Sequence, residues 1–256
     1  MVFWLVLVGA GQSEGLKDAD VVLLGEVHDN AAIHLRQAEL LASIKPRALV
    51  FEMLTPEQAS KATPDLRGDA AALETALDWA ESGWPEFAMY YPIFEAAGTA
   101  QFFGAAVPRD EARAAMQQGV PESFGDQAVR FGLTHPLPEA EQAAREQFQH
   151  MAHCEALPPE MLPTMVELQR LRDATLARAV LEALDITGGP VAVITGNGHA
   201  RKDWGMPAYL EMAQPGLALF SVGLTEEGDE SEGRFDREER FPAAVREDPC
   251  AAFEKG

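Results

Sequence analysis

Apolar residues along this chain fall into short unbroken runs, separated by longer stretches in which they recur every three or four positions. Trp4 to Val8, Val21 to Leu24, Ala48 to Phe51, Val191 to Thr195 and Leu217 to Val222 are of strand length and do not alternate with polar residues. Alternation is lost when both faces of a strand are covered, so these runs predict an α/β fold, a mostly parallel central sheet with flanking helices. Between the second and third runs, Asn30 is placed to cap a helix in which Ile33, Gln37, Leu40, Leu41 and Ile44 keep a period near 3.6, ending before Pro46. From about residue 55 to 184 the pattern is helical, with one extended segment near Phe102 to Val107, which predicts a large helical insertion within a single domain spanning 1–256. Pro158-Pro159-Glu160 opens a long helix through Met165, Leu168, Leu171, Leu176, Val180 and Leu184, stopped by Gly188-Gly189-Pro190. Residues 224–256, with 11 acids, 5 bases and few large apolar groups, read as a hairpin or a loose tail.

Charge narrows the classes of partner. Lys+Arg 20 against Asp+Glu 41 gives −21 over 256 residues, a polyanion that repels phosphate backbones, so nucleic acid is excluded as a partner. The longest early apolar run, Val2 to Val8, falls far short of the roughly 20 residues that span a bilayer, which predicts no transmembrane span. Without a basic flank or a lipobox cysteine, that run reads as a first strand rather than a signal peptide. Cys154 and Cys250 have neither zinc-ribbon nor CxxCH spacing and allow one disulfide.

Candidate chemistry gathers at strand ends. Gly9, Gly11 and Gly15 suggest a dinucleotide loop, but the spacing is one residue long and no room remains for a crossover helix before the strand near Asp20, so a plain turn is expected. Leu24-Gly25-Glu26-Val27-His28-Asp29-Asn30, a GExH pattern, puts an acid and an imidazole where open α/β sheets bind ligands. Glu52 directly follows the Leu49-Val50-Phe51 run, and His199 closes the turn Thr195-Gly196-Asn197-Gly198 after another. Glu26, His28, Glu52 and His199 thus make a candidate general-base cluster or divalent-metal site. His34 lies one turn into the first helix, facing either the crevice or solvent; His150, His153 and Cys154 share a helical face that reads as structural, and His135 as loop. The aromatic stretch from Trp84 to Phe94 is core or the wall of a pocket for a flat apolar ligand, with Tyr90 or Tyr91 a candidate phenolate ligand to ferric iron. Trp204 would add a wall, and Arg201-Lys202 a basic pair suited to carboxylates.

These segments resemble the ChaN-like haem-binding, iron-regulated protein family. The resemblance is carried by Gly25-Glu26-Val27-His28-Asp29-Asn30 with His34 and Gln37, by Phe51-Glu52, Tyr91-Pro92-Ile93, Val107-Pro108-Arg109 and His153-Cys154. It continues through Gly196-Asn197-Gly198-His199-Ala200-Arg201 and Gly205-Met206-Pro207, in order from about Val21 to Leu210. It implies haem as cofactor, with His28, His34, Tyr90, Tyr91, His199, Arg201 and Trp204 as candidate contacts, and a homodimer in the periplasm or membrane-associated cell envelope of Gram-negative bacteria, working with iron-uptake components. The GExH opening, second strand-end Glu and late His also look like the wider superfamily of erythromycin esterases and Tiki metalloproteases. That likeness implies a hydrolase, esterase or peptidase, in which His28 activates water or binds metal, Glu26 or Glu52 orients the water or binds metal, and His199 stabilises charge. The acidic body sets these readings apart: it draws in a divalent cation unaided, whereas haem propionates need local help from groups such as Arg201 and Lys202.

Overall fold

The computed structural model describes residues 11–228 and 233–252, so the strand expected over Trp4 to Val8 lies outside the described residues. The elements run α1 (Gly11–Asp18), β1 (Val21–Glu26), α2 (Ala31–Ile44), β2 (Ala48–Phe51), α3 (Pro56–Lys61), α4 (Ala70–Ala76), α5 (Phe87–Ala96) and β3 (Gln101–Gly104). They continue with α6 (Arg109–Gln118), α7 (Val120–Phe124), α8 (Glu139–Ala152), α9 (Leu162–Thr187), β4 (Val191–Gly196), α10 (Asn197–Ala200), α11 (Met206–Ala213), β5 (Leu219–Glu226) and β6 (Arg237–Phe241). Six strands form one sheet in the order β3-β2-β4-β1-β5-β6, and every neighbouring pair is parallel. The expected α/β class is therefore observed, with all carboxyl ends on one edge.

Two covered faces explain the unalternating runs. Along β1, Val22 and Leu24 enter one core cluster with Leu49, Phe51 and Ile194, while Val21 and Leu23 enter the other with Val50 and Val193. The first cluster is closed by the aromatics of α5 and its approach: Phe51 stacks on Phe94 at 4.8 Å, and Trp79 meets Tyr90 at 5.0 Å. The second is closed by α9 and α11, through Leu171, Leu176, Val180 and Leu210. β3 rises from the stretch expected as a helical insertion and joins the main sheet beside β2, which roots that stretch in the core.

Local signals behave as their chemistry requires. Asn30 caps α2, its side-chain oxygen accepting from the amides of Ala32 and Ile33, and its amide nitrogen donates 2.7 Å to Glu226 Oε1. The expected plain turn near Gly11 is instead α1, which leads into β1 through Ala19 and Asp20. For the acidic end of the chain, expected as a hairpin or a loose tail, the hairpin is not what forms. β5 continues to Glu226, and β6 pairs parallel to it, with Val222 opposite Arg237 and Glu226 opposite Phe241. Its Arg-Glu-Glu-Arg composition hides it from an apolar search, because it is held at the sheet edge by ladder bonds and by ion pairs such as Arg36 with Glu239 at 2.8 Å. Beyond it, Arg246 bonds to both Asp29 and Glu226, and Cys250 is bonded to Cys154.

Candidate functional site

Three adjacent strands, β2, β4 and β1, deliver the candidate residues to one crevice at their carboxyl ends. This is where the strand order reverses, since the chain passes from β1 outward to β2 and β3 and then returns to place β4 between β1 and β2. Glu26 ends β1, fully buried. Its Oε1 lies 2.8 Å from His28 Nδ1 and accepts from the Tyr90 hydroxyl at 2.7 Å, and its Oε2 accepts from Gln37 at 2.9 Å. Burial works against its charge, but His28 and His34 beside it outweigh that and hold its carboxyl well below the usual carboxylate range. Burial also opposes a charge on His28, yet the bond to Glu26 and the charges of Glu52 and Asp29 push it up to about 9. With Nδ1 so engaged, Nε2 makes no hydrogen bond among the described residues and faces the crevice, and the side chain is 37% exposed.

The second half of the site lies across Gly196. Glu52 follows β2 and accepts through Oε2 from the Thr195 hydroxyl at 2.6 Å and the Gly196 amide at 2.8 Å, which leaves Oε1 facing His199 Nε2 at 3.6 Å. Burial opposes its charge, and the neighbouring His199 and His28 bring its pKa below normal. His199 Nδ1 in turn meets Asp173 Oδ1 of α9 at 2.7 Å; burial raises Asp173, and burial opposes a charge on His199 but Glu52 and Asp173 outweigh it and raise its pKa. A Cβ on Gly196 would stand 3.0 Å from His28 Nε2 and 3.8 Å from Glu52 Oε2, so this glycine keeps the space between the two halves open. Gly25 serves a different approach: a Cβ there would collide with Asn197, whose side chain binds the backbone of Leu224 and fixes the turn that carries His199.

Glu26, His28, Glu52 and His199 are thus brought together. The other candidates divide. His34 is buried and packed 4.1 Å from Tyr90, with Nε2 3.7 Å from Glu26 and no hydrogen bond to either ring nitrogen, and it lines neither of the two cavities that meet at His28. Tyr90 donates to Glu26, and burial followed by the carboxylate charge pushes its hydroxyl far up, so it is a hydrogen-bond donor rather than the phenolate expected. Tyr91 points elsewhere, donating to the Arg67 carbonyl at 3.0 Å. Arg201 is bonded to Asp203 and stacked 3.7 Å over Trp204, and Lys202 pairs with Asp236 at 2.7 Å. Cys154 and His153 are structural as expected, through the disulfide and a bond from the ring to the Gln149 carbonyl. Among the described residues no three His, Cys, Asp or Glu side chains are grouped to hold a metal ion. The oxygens of Glu26 are taken by three partners, and Oε2 of Glu52 by two.

Asp173 escaped the sequence reading. Its signal was present: an acid between Leu171 and Leu176 on the apolar face of α9 is a buried charge that needs a partner. Two cavities meet at His28, Gln169 and His199. The first, about 760 Å³, lies between Phe148, Trp204 and Phe235, with Arg145, Arg201 and Arg246 around it. The second, about 570 Å³, lies on the Glu52 side and is walled by Trp84, whose ring stands 4.8 Å from that of His28.

Fold and site together define a parallel α/β protein whose ligand crevice pairs buried carboxylates with imidazoles. The chain belongs to the family described as haem-binding uptake, Tiki superfamily, ChaN, whose model matches residues 13–210. Among solved structures it is similar to ChaN of Campylobacter jejuni with cofacially bound haem, at 19% identity and TM-score 0.65, covering 88% of this chain and 87% of that one. An erythromycin esterase in its open conformation aligns at 13% identity and TM-score 0.48, over 84% of this chain and 72% of that one. The type III effector HopBA1 aligns at 12% and 0.47, over 83% and 80%. No curated protein matches. No helix among the described residues is long and apolar enough to cross a membrane.

Proposed function

We propose that this chain binds haem in the first cavity, as a protein of the bacterial cell envelope that takes part in iron or haem uptake. The observation that carries this is the wall composition. Phe148, Trp204 and Phe235 line a cavity of about 760 Å³ that reaches a carboxylate-anchored imidazole whose Nε2 is unengaged, and guanidiniums stand around it. A macrocycle needs apolar walls and a nitrogen donor for its iron, which the residues present supply, and cations for its propionates, for which Arg145, Arg201 and Arg246 stand near, each bonded to a carboxylate of the chain. His28 would hold the iron, its ring fixed by Glu26 in the way ligand histidines are fixed by a carboxylate behind them. When bound, the haem would supply the iron that the uptake role handles. The Cys154–Cys250 bond supports an oxidising compartment such as the periplasm. A homodimer remains part of the reading through the family. Hemin titrated into apoprotein should give a saturable Soret shift at fixed stoichiometry; diffuse, non-saturating absorbance would overturn the proposal.

A second reading, a hydrolase, is favoured by one observation: two imidazoles, each backed by a carboxylate, flank the open space at Gly196 beside Glu52. There His28 or His199 would move a proton to or from an attacking water. Elemental analysis together with an ester and peptide screen of wild type and His28→Ala tests it. Turnover that depends on His28 would support it, and a wild type without turnover would remove it.

A further inference from the structure

The two cavities treat their arginines differently. Each guanidinium of the first is bonded to carboxylates, Arg145 to Glu141, Arg201 to Asp203 and Arg246 to Asp29 and Glu226. The second cavity contains Arg109, at the start of α6, and Arg172, on α9; among the described residues neither makes a hydrogen bond, ion pair or ring contact. Gln169, one turn before Arg172 on the same face of α9, is likewise without a hydrogen-bond partner among the described residues. In a chain with twice as many acids as bases, two unmatched guanidiniums opening on one cavity are a local reversal of the molecule's charge. The Arg109 guanidinium lies against the turn at Gly83, which is held at φ +80, its Nη2 3.5 Å from where a Cβ of that residue would stand. The acid in the wall is Glu52, which lies beside the imidazoles of His199 and His28. The apolar part of the wall is made by Trp84, Met53, Val107 and Leu176, beside the polar Thr55, Gln58 and Ser82.

We propose that this second cavity binds a small organic anion, a carboxylate or phosphomonoester with a flat apolar body. Its charged head is taken by Arg109 and Arg172, and its body lies along Trp84 toward the wall formed by Glu52, His28 and His199. Two guanidiniums converging on a planar or tetrahedral anion give charge-assisted bonds that a neutral analogue cannot form, so charge on the head should decide binding. The cavity meets the proposed haem slot at His28, Gln169 and His199, but Arg109 and Arg172 line this cavity and not that slot. Calorimetric titration of the full chain with benzoate and with phenyl phosphate, against neutral benzamide, tests it. At least one anion should bind saturably while benzamide does not. Arg109→Gln and Arg172→Gln should each weaken it about tenfold with the thermal midpoint unchanged, as expected for losing one charged hydrogen-bonding partner. Hemin titration of the same variants should match wild type. The proposal is overturned if neither anion saturates below about 10 mM, if benzamide binds equally well, or if the variants bind as wild type does. It is also overturned if hemin binding falls together with anion binding, which would make these arginines the seat of the haem's own propionates.

Discussion

Glu26 and Glu52 stand at corresponding places, each at the carboxyl end of a buried parallel strand and each held ionised by nearby imidazoles, yet they are built for different work. Glu26 is saturated: His28, Tyr90 and Gln37 occupy its oxygens, so it orients His28 and locks the α2–α5 side of the core. Glu52 is anchored through one oxygen and leaves the other turned to His199 and the open space at Gly196. A carboxylate enclosed by donors is a positioning element; one with a free oxygen can act on a ligand. Residue type and strand-end position are shared, so only the partners separate the roles.

The comparison breaks first in stability. Glu26→Ala strips the acceptor from three donors, two of them buried, and should cost about 3–5 kcal/mol, the range for breaking a buried ionic network, read by urea denaturation. Glu52→Gln keeps a carbonyl oxygen for Thr195 and Gly196 and should cost about 1 kcal/mol or less while altering ligand binding; equal losses in the two variants would erase the distinction. A pH series sharpens the contrast. His28 is raised in the folded state from 6.5 to about 9, so its contribution is fully present below pH 6.5 and is lost as pH climbs through 9. Because the ring is partly exposed, the loss should be on the order of 1–2 kcal/mol, and it should vanish in His28→Ala. Glu26, depressed in the folded state, acts oppositely, stabilising above its unfolded value near 4.5 and ceasing to do so as pH falls through its folded pKa. Smallest is Tyr90→Phe, which removes one of the donors to Glu26 without opening a cavity and should cost about 1 kcal/mol. A thermal midpoint lowered as far as in Glu26→Ala would show that Tyr90, not the carboxylate, organises that half of the site.

Much of this layout was legible from the chain. Unalternating runs marked four of the six strands because both faces are buried, a fifth appeared as the short segment near Phe102, and the Asn30 cap and the Gly188 stop bounded α2 and α9. What escaped was decided by partners distant in sequence. β6 carries charged side chains suited to an edge, so nothing apolar announced it. Asp173 was passed over because the stripe of α9 was read for its leucines, and its role depends on His199, 26 residues away. Tyr90 was one of two tyrosines offered as ligands to iron, but whether its hydroxyl meets iron or a carboxylate turns on how α5 packs against α2, which no local pattern encodes.

The central claim is that Glu26 presents His28 Nε2 to a ligand in the first cavity. Hemin titration of His28→Ala beside wild type, with matched circular dichroism, tests it most directly. The account predicts that the variant stays folded and that its saturable Soret shift weakens about a hundredfold or disappears, as for loss of a metal ligand. An unchanged Soret band and affinity in His28→Ala would contradict it.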